Sequence, residues 1–378
     1  MDKTNKIKVI TVVGTRPELI RLALVIKKLN EFTDHILVHT GQNYDYELNQ
    51  VFFDELNIEK PQYFLDVKAD SLGETLGNII SRAEAVFKKE KPDAMLVLGD
   101  TNSAFAAVIA KRMKIPVFHI EAGNRSFDLN VPEEINRKII DHISDVNFVY
   151  SEHARRNLLN EGCHPRQIYL CGSPMKEVLD FYESKINSSG IMAKLQIEEN
   201  NYFLASFHRE ENVDNKDNLN KILVFLTELA EKYGKKVIVS THPRTKSRLE
   251  ALKNDNISPS IVFLKPFGFF DYVSLQKNAL CVLSDSGTIS EESSICGFKA
   301  VTIRNSMERP EAMDTGSIII TGLEADRVLS AVHYSISLDK HPASPAEYLV
   351  ENSSDRIVKI ILGLSGLIHR WTGVNSND

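Results

Sequence analysis

The sequence predicts an α/β protein made of two doubly wound, Rossmann-like domains, each with a parallel sheet. Three observations predict it. Short β-rich runs alternate with helix-length segments of apolar period. The alternation breaks at Gly172-Ser173-Pro174 and then restarts. Nearly every polar cluster falls just after a strand, the end from which such sheets bind ligands. A chain of 378 residues is also too long for one ordinary core.

In chain order, Val9–Val13 is the first strand and Gly14 ends it. Leu19, Ile20, Leu22, Ala23, Val25, Ile26 and Leu29 then recur at helical spacing. His35–His39 and Ala94–Leu98 are strands that close into Thr40-Gly41 and Gly99-Asp100-Thr101. Ala104–Lys111 reads as a helix, followed by strands Pro116–Ile120 and Val146–Tyr150. After the hinge come strand Tyr202–Phe207, helix Leu219–Tyr233 and strand Lys236–Ser240. Ile261–Leu264, Leu280–Leu283, Val301–Arg304 and Ser317–Thr321 complete the second sheet. Residues 355–371 read as one final helix, and Gly373–Asp378 as a frayed tail. The expected domains are residues 1–172 and 173–354.

Composition narrows the function classes. Apolar residues make up 43% and charged residues 25%, as in soluble globular proteins. A net charge of −6 gives no general reason to expect nucleic acid or an anionic membrane as partner. A local group of Arg, Lys and backbone N–H groups still suffices for an anionic ligand. Cys163, Cys171, Cys281 and Cys296 form neither a CxxC pair nor metal-ligand spacing, so reduced thiols in a cytoplasmic protein and no metal are expected. No signal-peptide core and no membrane-spanning apolar run is legible.

The densest ionisable stretch is His119–Lys138, which follows a short buried strand. Glu121 ends that strand. Pro132-Glu133-Glu134 resembles a helix start, with Pro in the first turn and acids near the positive end of the dipole. Glu134 and Lys138 are spaced for a helical ion pair. The stretch reads as half of an active site.

Other clusters carry two readings each. Gly14-Thr15-Arg16-Pro17-Glu18 lacks the glycine fingerprint of a dinucleotide site and the Lys of a P-loop. Arg16 either reaches a phosphate at the helix start or is a solvated residue in a tight turn. In Ser284-Asp285-Ser286-Gly287-Thr288, free N–H groups of Ser286, Gly287 and Thr288 can cradle a diphosphate. Glu292, about one turn on, can accept from a ribose. The alternative is that Ser286 caps a helix whose first turn the Glu pair decorates. Pro266–Tyr272 is aromatic-rich, suited to stacking a base or to packing at a helix entry. His208, with Arg209, Glu210 and Glu211, follows a strand directly and can act near neutral pH or donate to phosphate.

Taken together, Gly14–Glu18, Gly99-Asp100-Thr101, Glu121-Ala-Gly-x-Arg125, Pro132-Glu133-Glu134-x-Asn136-Arg137, His208-Arg209-Glu210, Ser284–Gly287 and Glu308-Arg309-Pro310-Glu311 occur in order along the chain. In this the chain resembles the non-hydrolysing UDP-N-acetylglucosamine 2-epimerase family over essentially its whole length. The resemblance implies a glycosyltransferase-B-type fold, two domains facing across a cleft, with the last helix (355–372) returning to the first. It implies an isomerase that needs no cofactor. UDP leaves C1 as the C2 proton is removed, giving a 2-acetamido glycal; UDP then adds back while C2 is protonated on the other face.

Matching positions imply Asp100, Glu121 and Glu133 as the carboxylates around the sugar and His208 as the group assisting UDP departure. They imply Arg16, Ser286, Gly287, Thr288 and Arg309 at the phosphates, Glu292 at the ribose and Tyr272 at the uracil. Arg21, Arg125 and Arg137 are implied on the substrate side. The resemblance also implies a homodimer.

The chain departs from that pattern on the sugar side. Arg21 stands where the family has Lys. Gln42–Tyr46 replaces Gln-His-Arg. Asn124 and Ser173 differ, and the loop after Arg125 is shorter. The combination is similar to the branch called UDP-N-acetyl-L-fucosamine synthase, which acts on UDP-2-acetamido-2,6-dideoxy-L-talose for surface polysaccharides. Conversion of UDP-N-acetylglucosamine to UDP-N-acetylmannosamine is the alternative. A glycosyltransferase of the same fold and a non-catalytic UDP-sugar sensor are remoter ones.

Overall fold

The structure is a computed structural model that describes residues 6–41, 53–252, 257–340 and 342–373. The Gln42–Tyr46 departure and most of the polar tail lie outside the described residues. The chain forms two compact units, Met1–Val178 with Leu349–Asp378, and Leu179–Tyr348. Gly172-Ser173-Pro174 leads into the helix Met175–Phe181, within which the chain passes from the first unit to the second.

The first unit holds seven strands: β1 (Lys8–Val13), β2 (Asp34–His39), β3 (Tyr63–Phe64), β4 (Ala94–Leu98), β5 (Val117–Ile120), β6 (Val146–Val149) and β7 (Ile168–Leu170). They pair in the order β3-β2-β1-β4-β5-β6-β7, every pair parallel. All five residues of β4 are buried, as expected where helices cover both faces of a parallel sheet. Strand order reverses between β1 and β4, so their carboxyl ends flank the crevice where such sheets bind ligands.

The second unit holds β8 (Tyr202–Ser206), β9 (Lys236–Ser240), β10 (Ile261–Leu264), β11 (Cys281–Ser284), β12 (Ala300–Thr302) and β13 (Ile319–Ile320), ordered β10-β9-β8-β11-β12-β13 and again parallel. Its two faces follow the period of two in the sequence. Phe203, Ala205, Val237, Val239, Cys281 and Leu283 enter one apolar cluster. Tyr202, Leu204, Ile238 and Val282 enter the other. Here the reversal lies between β8 and β11.

Two features differ from the sequence reading. β3 and β7 are edge strands too short to show alternation. The final helix is broken into Ser353–Leu364 and Ile368–Thr372. The turn falls at Ser365-Gly366-Leu367, where Gly366 weakens helical continuation. Ser353–Leu364 packs on the helix Arg16–Phe32 of the first unit, and Lys28 donates to Asp355 (2.5 Å). Ser353 Oγ donates to the Gly172 carbonyl (3.3 Å), so the last segment belongs to the first unit. No helix among the described residues is long and apolar enough to cross a membrane.

Candidate active site

In the first unit the site is built from three strand ends. After β1, Glu18 sits in the first turn of helix Arg16–Phe32 and is only 1% exposed. It accepts from Gly14 N (2.9 Å), Thr15 Oγ1 (2.7 Å), Ser103 Oγ (2.6 Å) and Thr101 Oγ1 (3.1 Å). Burial pushes its carboxyl pKa up, against those four hydrogen bonds. One side chain thereby locks the loop after β1 to the loop after β4, which carries Asp100. Arg16 opens the same helix and is partly exposed.

After β5, Glu121 adopts φ +69°, a left-handed conformation that costs a residue with a side chain about 1–2 kcal/mol. The carboxylate is 8% exposed and ion-paired to Arg21, with Asn124 Nδ2 3.5 Å from Oε1. Asp100 follows Gly99, also at positive φ, and pairs with Arg137 (2.6 Å). Arg137 donates to Glu134 as well (3.0 Å). The expected Glu134–Lys138 pair is replaced by this i,i+3 contact. Glu134 is fully buried and accepts from Ser126 N, Ser126 Oγ and Phe127 N, so it holds the loop before its own helix, Pro132–Ile143. Glu133, one residue earlier, is half-exposed and has no hydrogen-bond or ion-pair partner among the described residues.

Arg125 is placed differently from its implied role at the substrate. Its side chain is fully enclosed, donating to Asp141 (2.7 Å), the Asn124 carbonyl (2.7 Å) and both oxygens of Glu161 (2.7 and 2.5 Å). Asp141 also lies 3.0 Å from His119 Nδ1 and accepts from Gly123 N. His119 Nε2 donates to the Gly99 carbonyl (2.9 Å). This buried network positions the Glu121–Arg125 turn. Sequence reasoning assigned no role to Glu18, His119 or Asp141. Asp141 carries no local signal, since its partners are brought to it by the sheet.

In the second unit the two strand ends at the reversal carry the groups. The fully buried Asp285 follows β11 and accepts from His208 N (3.0 Å), Arg209 N (3.0 Å) and Asn212 Nδ2 (2.9 Å) just after β8. His208 is half-exposed, and its ring centroid lies 5.7 Å from that of His242.

The expected cradle of free N–H groups needs correction. Ser286 N donates to Ser284 Oγ (3.0 Å) and Thr288 N to Ser286 Oγ (3.3 Å), because hydroxyls two residues back satisfy them first. Gly287 N has no such partner among the described residues. Helix Ile289–Cys296 follows, its entry pointing N–H groups at the same region. Glycine is needed at 287 by close approach: a Cβ there would meet Glu308 Oε1 at 2.5 Å.

Arg309, implied at the phosphates, is 2% exposed; it donates to the Gly287 carbonyl and pairs with Glu291 (3.2 Å), and so sets the shape of the loop. Glu292 accepts from Gln276 Nε2 (2.6 Å). Tyr272 packs partly buried in helix Phe269–Asn278, its hydroxyl in contact with Ser206; burial first, then the Glu292 charge, raises its pKa. Phe269 enters the core and Phe270 stacks tilted on Tyr182 at 5.3 Å, so most of that aromatic segment packs at a helix entry.

The described residues contain no group of three or more His, Cys, Asp or Glu able to hold a metal ion. The first unit thus presents carboxylates suited to proton transfer. The second presents an imidazole, a helix entry and small residues suited to a phosphate.

Comparison with known proteins identifies the family to which the chain is similar. A family model described as UDP-N-acetylglucosamine 2-epimerase matches residues 26–362. A Rickettsia bellii structure of that name is 49% identical, with a TM-score of 0.93, covering 98% of this chain and 100% of that one. The Methanocaldococcus jannaschii epimerase, solved in complex with UDP-GlcNAc and UDP, is 36% identical with a TM-score of 0.88, covering 94% and 99%. A Pseudomonas aeruginosa UDP-2,3-diacetamido-2,3-dideoxy-D-glucuronate 2-epimerase is 33% identical over 334 residues, 87% of this chain and 92% of that protein.

Proposed function

The chain belongs to the UDP-N-acetylglucosamine 2-epimerase family, and on that premise we propose that it inverts C2 of a UDP-linked 2-acetamido sugar by eliminating UDP and adding it back. Its activity is that of a UDP-HexNAc 2-epimerase, an isomerase. The observation that carries the mechanism is the Glu121 carboxylate, held in a strained backbone against Arg21 and Asn124 at the carboxyl edge of the first sheet.

The C2 hydrogen is weakly acidic because no carbonyl adjoins it. Losing UDP from C1 drives its removal: the C1–O bond breaks with its electron pair leaving on UDP, the C2–H pair forms C1=C2, and a carboxylate takes the proton. Return of UDP and protonation on the opposite face complete the inversion. In this proposal Asp100, Glu121 and Glu133 serve the sugar. His208 meets the departing diphosphate, Arg16, the Gly287 N–H and the hydroxyls of Ser286 and Thr288 the phosphates, Glu292 the ribose and Tyr272 the uracil. Arg21, Arg125, Arg137 and Arg309 act by holding carboxylates and the Gly287 loop in place. In deuterated water the product should carry deuterium at C2; clean epimerisation without that label removes the elimination mechanism.

For the sugar itself we propose UDP-2-acetamido-2,6-dideoxy-L-talose, giving UDP-N-acetyl-L-fucosamine for surface polysaccharide. Support comes from Arg21 and Asn124, two departures from the family pattern that both touch Glu121. The second reading, UDP-N-acetylglucosamine to UDP-N-acetylmannosamine, is favoured by the names of the 49% and 36% identical structures. A panel of UDP-HexNAc and 6-deoxy derivatives, with products resolved by NMR, decides between them. A cytoplasmic homodimer is part of the proposal. Light scattering that gives the mass of a single chain removes the dimer.

A further inference from the structure

We infer that Asp285 is a positioning residue for the imidazole of His208, fixing which ring nitrogen carries the proton and which is presented. The inference rests on the reading that His208 serves the reaction.

Strands β8 and β11 are neighbours in parallel register, with Ser206 opposite Ser284. Asp285 N continues that pairing to the Ser206 carbonyl (3.2 Å). The next turn of the backbone therefore places the Asp285 side chain beneath the first residues after β8. The carboxylate is fully buried, and both its oxygens are used. Oδ1 accepts from His208 N at 3.1 Å, while Oδ2 accepts from His208 N, Arg209 N and Asn212 Nδ2 at 2.9–3.0 Å. These bonds fix the backbone of the turn. They leave Oδ1 3.3 Å from His208 Nδ1.

A carboxylate offers only acceptors in that position, so it favours the ring form with a proton on Nδ1. Nε2 is then the nitrogen able to take up a proton and return it. The ring side chain is 43% exposed, so its far edge is accessible to a ligand. The neighbouring charged and ring groups have partners of their own. His242 uses its own Nδ1 to accept from Arg244 N (3.2 Å), and Arg244 pairs with Glu210 (2.6 Å). Arg209 donates through Nε to the Asp285 carbonyl (2.9 Å), and its NH2 lies 3.7 Å from Glu308. Asp285 thus holds His208 by its side chain and Arg209 by its main chain, immediately before Ser286-Gly287. One buried residue sets both the imidazole and the turn beside it.

The test reads the ring directly. In 15N-histidine-labelled wild-type protein, with His208 assigned by the loss of its signals in His208→Asn, the neutral ring should show Nδ1–H. Asp285→Asn should move it toward Nε2–H and lower kcat by about 10–100-fold, with KM within about two-fold. In a His208→Asn background the same substitution should lower kcat no further. A wild-type His208 in the Nε2–H form overturns the inference, even if Asp285→Asn fails to fold. Equal losses from Asp285→Asn in both backgrounds overturn it too. The ring measurement needs no substrate, so an enzyme that turned over no UDP-HexNAc would defeat the proposed function without altering this readout.

Discussion

Replacing Arg125 by Met separates a structural arginine from a substrate-binding one. The guanidinium is fully enclosed and donates four hydrogen bonds of 2.5–2.7 Å, to Asp141, Glu161 and the Asn124 carbonyl. Met fills most of the volume but leaves the side chain of Asp141, which is 1% exposed, with only His119 and Gly123 among the described residues. Removing one partner of a buried ion pair costs about 3–5 kcal/mol, or roughly 6–20 °C in Tm for a unit of this size. The acid limb should change as well. Arg125 first, with His142 adding, holds the Glu161 carboxyl below its ordinary value. Such a group contributes stability that is fully present above the unfolded carboxylate pKa, about 4.3, and is lost as pH falls through the folded value. Arg125→Met should flatten that part of the stability–pH curve. The assay is thermal unfolding from pH 3 to 7, with KM for the UDP-sugar measured well below the variant's Tm. A variant as stable as wild type but with KM raised ten-fold or more would refute the structural assignment and restore Arg125 to the substrate.

Gly287→Ala places a Cβ 2.5 Å from Glu308 Oε1, and Glu308 is tied to Arg304 at 2.7 Å; overpacking of about 1–3 kcal/mol should weaken UDP binding about 5–150-fold by calorimetry, and unchanged affinity would remove the close-approach argument. Gly123→Ala combines φ +80° with a Cβ driven into the Ala154 carbonyl, so soluble expression or Tm should fall sharply, whereas a wild-type melting curve would show that the turn can open. Glu133→Gln alters a half-exposed carboxylate with no partner among the described residues; Tm should stay within about 2 °C while kcat falls about 10²–10⁴-fold, the usual loss for an acid–base group, and full activity would remove Glu133 from the proposed set.

The sheets were legible because their signals are local. Val9–Val13 and Tyr202–Phe207 carry β-rich residues closed by a Gly or by polar residues, and the period of two assigns each side chain its face. The helix Leu72–Glu90 was not singled out, although its buried Ile79, Ala83, Val86 and Phe87 fall at helical spacing. β3 and β7, with two and three residues, are too short to carry a pattern and exist through pairing with β2 and β6.

The sequence by itself determined that ionisable groups would gather after the strand ends, while the roles proposed for Asp100, Glu121, Glu133 and His208 came from the family resemblance. What it left open was which charge answers which. Arg21 meets Glu121, Arg125 meets Asp141 and Glu161, and Asp285 meets His208, at separations of 16 to 100 residues along the chain. An arginine beside a glycine-rich turn reads alike whether it faces a ligand or closes a buried network. Only the tertiary structure decides, because the crossovers between parallel strands bring distant side chains together, and burial then requires each charge to be answered by a partner.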